Sequence, residues 1–164
     1  MPEPSGNPSV GVGPSSRFGA LGIELPAAPT PLGAYVEASD AGHLLFISGT
    51  LPVVNRKLAI SGRLGGNLSV EQGQVAARLA SLNALAAARE HLGDLDRLKK
   101  LIKLTVVMAT TAHFTDHAAV GDGASELFAQ IFGRPPGHTR MVYGVQSLPM
   151  GAPVVVETIF EISP

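Results

Sequence analysis

The stretch "GHTRMVYGVQSLPMGAP", residues 137–153, contains a single permanent cation, Arg140, among small and apolar residues. A guanidinium stays charged at any working pH, and its fork of N–H donors matches a planar carboxylate. A buried cation without a counter-ion is costly, so Arg140 needs either an acidic partner from the protein or an anionic ligand. We expect Arg140 to be free of any internal anion and to bind a small organic acid.

A structural salt bridge is the competing explanation for Arg140. The last apolar segment of the chain, "VVVETIFEI", contains two acids that could supply the partner, Glu157 and Glu161. The residue types alone leave both explanations open.

The other polar candidates give weaker signals. His113 and His117 are four residues apart, a spacing that binds a metal when both lie on one helix, but His113 comes before the predicted helix. No histidine or acid stands in a recognisable pattern to activate Ser48. The glycine-rich "GRLGGN" lacks the Lys-Ser/Thr of a phosphate loop. We therefore expect neither a metal nor an organic cofactor.

Composition limits the function further. The chain has 164 residues, no cysteine and a net charge of −1, so it has no general attraction for nucleic acid. Its basic cluster, "RLKKLIK", is interpreted as a solvated face. No apolar run approaches the ~20 residues of a membrane span. We expect a cytoplasmic protein that binds neither nucleic acid nor membrane.

The chain divides into a tail and one domain. Residues 1–16 are mostly Gly, Pro and Ser, which predicts a disordered tail, and residues 17–164 form the domain. "YVEAS" and "HLLFISG" predict a hairpin, "KLAISGRLG" a weaker strand, and "LIKLTVVMAT", "TRMVYGV" and "VVVETIFEI" three further strands. Two helices separate them. This order predicts an α+β two-layer domain, with a five- to six-stranded mixed sheet and two helices on one face.

The first of these helices has the clearest signals. Ser69 is a good N-cap with Gln72 three residues later, as in a capping box, and Gly93 ends the helix. An apolar stripe at 4-3-4 spacing is predicted to face the sheet, at positions Val75, Leu79, Leu82 and Ala86. Gly73, in the first turn, suggests a close neighbour that needs its small size.

The second face of the predicted sheet has no covering element of its own. Strands as apolar as "VVVETIFEI" rarely leave a face in water. We therefore expect the sheet faces of several copies to pack together.

Three segments resemble the RidA/YjgF family of small trimeric proteins, also known as reactive-intermediate deaminases. They are "GAYVEASDAGHLLFISGTLPV", the helix that follows it, and "HTRMVYGVQSLPMGAPVVVETIFEI". The most specific motifs are the Ser-Gly-x-x-Pro turn at Ser48–Pro52 and the Arg-x₇-Leu-Pro string from Arg140 to Pro149. The similarity extends over about residues 32 to 162.

The resemblance implies a chorismate-mutase-like fold and a homotrimer with a central sheet barrel, with ligand clefts between neighbouring copies. It implies that Arg140 holds the carboxylate of the ligand and that Tyr35, Ser48, Gly49 and Val142 line the cleft. Glu157 matches a second acidic position of the family.

The reaction that the resemblance implies is hydrolysis of an imine or enamine carboxylate of the 2-iminopropanoate type to a 2-oxo acid and ammonia. Two departures from the family pattern bear on it. The glutamate thought to position the water, six residues after the Leu-Pro proline, is Val155 here. The family's asparagine in the second helix is Asp122, which puts negative charge near the anion site if it faces the cleft.

Three functions are therefore considered. The first is the imine deaminase, with Arg140 as anchor. The second is a non-catalytic module that binds a small carboxylate in the clefts between copies. The third is a ribonuclease activity, which has been attached to some relatives. The net charge disfavours it, and so does the lack of histidines near Arg140 that could act as a general base, where His138 is the only candidate.

Overall fold

A computed structural model of the chain describes residues 13–133 and 137–164. The helices within these residues are α1 Pro14–Leu21, α2 Val70–Leu92 and α3 His117–Phe132. The strands are β1 Ala38–Ala41, β2 Leu44–Thr50, β3 Val53–Val54, β4 Lys57–Leu58, β5 Leu98–Ala109, β6 Thr139–Val145 and β7 Val154–Ile162. The predicted bounds of β6 and β7 are confirmed.

Five strands form one mixed sheet in the order β1-β2-β7-β5-β6. β5 and β6 run parallel, and the other neighbours are antiparallel. The short strands β3 and β4 pair only with each other, as a separate hairpin. α2 and α3 pack on the sheet and on each other. The predicted α+β class, with a mixed sheet of five strands, is confirmed.

The predicted ends of α2 are confirmed. The Ser69 hydroxyl accepts a hydrogen bond from the Gln72 N–H while the Gln72 side chain accepts one from the Ser69 N–H, and Gly93 ends the helix with a left-handed φ of 75°. Both caps depend on residues within one turn of the helix end, which is why a local pattern predicts them.

The apolar stripe predicted for α2 is wrong. Val75 is 58% exposed, Leu79 and Leu82 are only half-buried, and Ala86 alone of the four is buried. The buried face is instead made of small residues, including Ala76, Ala77, Ala80, Ala84, Ala87 and Ala88. Small side chains let α2 approach both the sheet and α3 closely. The buried face of α2 is therefore the one with the smallest side chains and not the one with the largest.

Glycines make this close approach possible. A Cβ at Gly73 would lie 2.7 Å from Leu64 Cδ2 and 3.0 Å from Val120 Cγ2, so the expected need for a small residue there is confirmed. A Cβ at Gly123 of α3 would clash with the backbone of Gln74. The Gln74 side chain also donates a 2.8 Å hydrogen bond to the Ala119 carbonyl. The N-terminal halves of α2 and α3 are therefore in direct contact.

The sheet face opposite these helices is open in the single chain. Alternate residues of the strands point there, and large apolar side chains among them are exposed: Leu44, Phe46, Met141 and Tyr143. Within the described residues, none of the helices covers this face. An apolar sheet surface of this kind usually packs against another sheet or another copy.

The predicted tail, residues 1–16, lies mostly outside the described residues. Its last three residues belong to α1, which begins at Pro14. α1 buries Phe18, and the Ser15 N–H donates a 2.9 Å hydrogen bond to the Asp96 carboxylate. In the two described ranges, no helix is both long and apolar enough to cross a bilayer.

Candidate functional site

Arg140 lies on β6, one of the two edge strands of the sheet, and its side chain points to the helix-covered face. Its register partner Leu104 is fully buried under the helices, and paired residues of neighbouring strands point to the same side of a sheet. A Cβ at Gly121 of α3 would be 3.4 Å from Arg140 Cζ, so a glycine there leaves room for the guanidinium. α3 and β6 together therefore hold this side chain.

Three hydrogen bonds fix the guanidinium. Arg140 Nη1 donates to Asp122 Oδ1 at 2.7 Å and to Ser125 Oγ at 3.1 Å, and Nη2 donates to the Ala118 carbonyl at 3.3 Å. Asp122 and Ser125 are three residues apart and share one face of α3. The pair with Asp122 is an ion pair, in which the Arg140 side chain is 24% exposed and that of Asp122 57%.

The expectation that Arg140 is free of any internal anion is wrong. The competing explanation, a salt bridge with an acid of the protein, is confirmed. Its suggested partners are wrong, because Glu157 and Glu161 stand on the open face of β7 and Arg140 on the covered face. Glu161 lies 3.5 Å from Lys100 instead. Asp122 was noted as a departure from the family pattern, and it does face the arginine.

The ion pair does not use all the donors of Arg140. A guanidinium has five N–H groups, and the contacts with described residues account for three of them. The rest comprise Nε–H and one N–H of Nη2, since both protons of Nη1 are engaged. A carboxylate can still bind these donors, although Asp122 removes the net positive charge of the site.

Ser125 connects Arg140 to His138. Ser125 Oγ accepts from Arg140 Nη1 and also forms a hydrogen bond of 2.9 Å with His138 Nε2. Burial and the neighbouring Arg140 charge both lower the pKa of His138, which favours its neutral form. The single histidine considered near Arg140 is thus two hydrogen bonds from it. Ser125 was missed in the sequence, although its spacing from Asp122 places it on the same helix face.

Tyr35, Ser48 and Gly49 lie together, on the β1–β2 side of the sheet. The β2–β7 register shifts between Ile47 and Thr50, so Ser48 and Gly49 form a bulge. The Ser48 hydroxyl donates to the Val36 carbonyl at 2.7 Å, and its N–H donates to the Glu37 carbonyl at 2.9 Å. The Tyr35 hydroxyl accepts a 3.0 Å bond from the Leu32 N–H. These bonds fix the segment before β1 against the bulge.

A cavity of about 330 Å³ opens beside this bulge, near the lower end of the usual range for ligand pockets. Tyr35 and Gly49 line it, together with Glu37 from the segment before β1. Its other walls are the segment 26–32, the β3–β4 hairpin, the end of β2, Asn83 and Met150. Met150 has a left-handed φ of 60°, which is a strained conformation for such a side chain and is more frequent at functional sites.

Val155 and Glu157 lie on the open face of β7, opposite the bulge. Val155 is half-buried, and a Cβ at Gly49 would be only 2.7 Å from its Cγ1. Gly49 is therefore required by close packing against Val155 in the same sheet. Glu157 is exposed, pairs in register with Thr105, and does not line the cavity.

The predicted site residues thus fall into two halves that one chain does not bring together. Arg140 and Val142 are on β6, and Tyr35, Ser48 and Gly49 are at β2 or just before β1. β2 and β6 are three strand spacings apart, or about 14 Å. A small carboxylate is too short to contact both halves within one chain.

Known proteins agree with the resemblance in the sequence. A sequence profile of the family described as "YjgF/chorismate mutase-like, putative endoribonuclease" matches residues 15–162. Protein TCP17 of Trypanosoma cruzi is 40% identical over 144 residues, 87% of this chain and 90% of TCP17. A crystal structure from Shewanella oneidensis with the same endoribonuclease description has a TM-score of 0.87 at 35% identity, covering 92% of this chain and 99% of that one.

A structure of E. coli TdcF with bound serine is more distant. It has a TM-score of 0.58 at 26% identity and covers 86% of this chain and 98% of TdcF. The profile match takes in both halves of the predicted site and every strand of the sheet. The chain belongs to the YjgF family.

Proposed function

We propose that three copies of the chain assemble with their open sheet faces together and build clefts for a small carboxylate. In each cleft, an imine or enamine carboxylate of the 2-iminopropanoate type is hydrolysed to a 2-oxo acid and ammonia. The observation that carries the proposal is the state of Arg140: a guanidinium held on an edge strand by α3, with two N–H donors unused by the described residues.

The separation of the two halves supports a site shared between copies. Since Arg140 and the Tyr35–Gly49 cavity are about 14 Å apart across one sheet, a site that uses both halves would take the second half from a neighbour. β6 is an edge strand, so its outer side is available to another copy. The exposed apolar face formed by Leu44, Phe46, Met141 and Tyr143 supports association through the sheet.

The relative TdcF supports the class of ligand. Its crystal structure contains bound serine, an amino acid with a carboxylate. In this chain, Arg140 would hold such a carboxylate through its free donors, and Asp122 and Ser125 keep the guanidinium in place. Backbone groups at the Ser48–Gly49 bulge of the neighbour would orient the rest of the molecule. The substrate is already reactive, so placement supplies much of the rate.

A non-catalytic binding module is the second candidate, and Val155 favours it. The position that carries the family's water-positioning glutamate holds an apolar side chain packed against Gly49. A cleft without a suitably placed carboxylate would bind an imine acid or a 2-oxo acid and leave it unchanged.

Endoribonuclease activity is not part of the proposal. The net charge of −1 gives no field that attracts a polyanion. In the basic cluster, Lys100 is paired with Glu161, and Arg97 donates to the carbonyls of Leu92 and Ser163.

The test compares Arg140→Ala and Arg140→Lys with the wild type, using pyruvate binding by calorimetry and ammonia release from 2-iminopropanoate. We expect Arg140→Ala to weaken pyruvate binding at least about tenfold, since charge-assisted hydrogen bonds contribute about 1.5–3 kcal/mol. Arg140→Lys should bind with intermediate affinity because it keeps the charge and loses the planar fork.

Circular dichroism and sedimentation of each variant check that fold and assembly are intact. Unchanged pyruvate affinity in a folded Arg140→Ala protein would contradict the carboxylate site. Ammonia release above the spontaneous rate identifies the enzyme, whereas pyruvate binding without release identifies the binding module.

A further inference from the structure

The proposed hydrolysis lacks one group at the expected place. Water is a poor nucleophile at neutral pH, so a carboxylate that orients it and accepts its proton is valuable. Val155 offers no such group, and it fills the space beside Gly49. A carboxylate on a neighbouring element could do the same work if it faced the same space.

Glu37 is a carboxylate that lines the cavity beside Gly49, whereas Val155 contacts Gly49 but does not line this cavity. Its backbone carbonyl accepts the Ser48 N–H at 2.9 Å, which fixes it beside the bulge. Glu37 lines the cavity of about 330 Å³ together with Tyr35, Gly49 and the cationic Arg56. Among residues 13–133 and 137–164, no side chain or backbone group hydrogen-bonds or ion-pairs with this carboxylate. An acid of this kind in a cavity is available to a ligand or a water.

Burial is the cause of a raised Glu37 pKa. An acid whose pKa moves up toward neutrality becomes a better base for a proton from water, because basic strength rises with pKa. Among the described residues that line the cavity, Glu37 is the one acid. Glu157 is exposed on the open sheet face outside the cavity, and Asp122 is already paired with Arg140.

We propose that Glu37 is the general base of the deaminase and takes the role of the family's glutamate, whose position is occupied by Val155 here. This inference rests on the proposed function and names a further catalytic residue for it. The carboxylate of the substrate binds Arg140 of one copy, and its iminium group lies in the cavity of the neighbour, near Glu37. The negative charge of Glu37 also stabilises the iminium cation.

The steps balance in atoms and charge. Glu37 takes a proton from water as the water oxygen bonds to the iminium carbon, and the C=N electron pair moves to nitrogen. Protonated Glu37 then returns this proton to the amine of the resulting carbinolamine. The C–N bond breaks as the hydroxyl oxygen forms C=O, and the hydroxyl proton leaves with ammonia as ammonium. Glu37 is regenerated as a carboxylate, and the product is a 2-oxo acid.

The experiment measures kcat for ammonia release from 2-iminopropanoate in wild type, Glu37→Gln and Glu90→Gln. Glu37→Gln keeps the size of the side chain and removes the base, so kcat should fall at least about 100-fold, while pyruvate still binds. Glu90, exposed near the end of α2 and outside the cavity, is the matched control and should match the wild type. Glu37→Asp, whose carboxylate is withdrawn by one methylene, should have an intermediate rate.

The outcomes separate this inference from the function on which it rests. If the wild type shows no turnover, both the proposed deaminase activity and the role of Glu37 are contradicted, even if pyruvate binds. An active wild type with an equally active Glu37→Gln overturns only the role of Glu37. If Glu37→Gln does not fold, Glu37→Asp decides: a wild-type rate there overturns the inference, and a reduced kcat with unchanged pyruvate affinity supports it.

Discussion

At the scale of single residues, the environment of Arg140 is decided by the alternation of side chains along β6. Arg140 points to the helix-covered face, where α3 offers Asp122 and Ser125. Glu157 and Glu161, which the sequence suggested as salt-bridge partners of Arg140, point to the opposite face. Arg140 and Asp122 therefore form an ion pair with no net charge, and in the proposed function the remaining N–H donors of Arg140 attract the carboxylate.

Asp122→Asn should strengthen carboxylate binding. The substitution removes a negative charge 2.7 Å from Arg140 Nη1 and leaves a side chain that can still accept its hydrogen bond. Because Asp122 is 57% exposed, water screens much of its repulsion of a ligand. We expect a gain of about three- to tenfold in pyruvate affinity, measured by calorimetry.

Asp116→Asn is the matched control, since it makes the same charge change on the same helix, at the N-cap of α3. It should leave pyruvate affinity within about twofold of the wild type. Equal or weaker binding by Asp122→Asn would show that Asp122 does not limit the anion affinity of Arg140.

At the scale of elements, sequence patterns predicted those helix ends and strand bounds that depend on residues close together in the chain. The capping box and the terminal glycine of α2 and the bounds of β6 and β7 were predicted correctly. The face of α2 was not. The predicted stripe of Val75, Leu79, Leu82 and Ala86 shares only Ala86 with the buried face, because α2 packs against a sheet and a second helix and buries a broad alanine surface.

The partners of the site residues also lay beyond a sequence-based prediction. Ser125 and Glu37 gain their places from contacts between elements that are distant in sequence, such as the 2.9 Å bond between Ser125 and His138. Asp122 was the exception, because comparison with the family pattern singled out its charge. Tertiary contacts of this kind carry no local signal.

Gly73→Ala tests the close contact between α2 and its neighbours. Alanine has the better helix propensity by about 0.8–1.0 kcal/mol, but its Cβ would lie 2.7 Å from Leu64 Cδ2. Overpacking should dominate and lower the free energy of unfolding by about 1–3 kcal/mol, measured by urea denaturation. Gly19→Ala in α1, where a Cβ would have no atom within 4 Å, should instead be neutral or stabilising. Stabilisation by both would disprove the contact.

At the scale of the whole molecule, the sheet order separates what the proposed reaction has to bring together. Arg140 is on the last strand of the order β1-β2-β7-β5-β6, and the bulge is on the second. The same sheet exposes apolar side chains on its open face, including Phe46 and Tyr143. The proposed association of copies would cover this face, and a neighbour beside the edge strand β6 would supply the missing half of the site.

The most direct test of the shared cleft mixes copies that each lack one half. Arg140→Ala and Tyr35→Ala proteins are refolded separately and as a one-to-one mixture, and pyruvate binding is measured by calorimetry. Each variant alone should bind at least about tenfold more weakly than the wild type. In the mixture, random assembly gives about a quarter of the clefts both intact halves. We expect that fraction of sites to regain wild-type affinity, and a mixture that binds no better than its parents would contradict a cleft built from two copies.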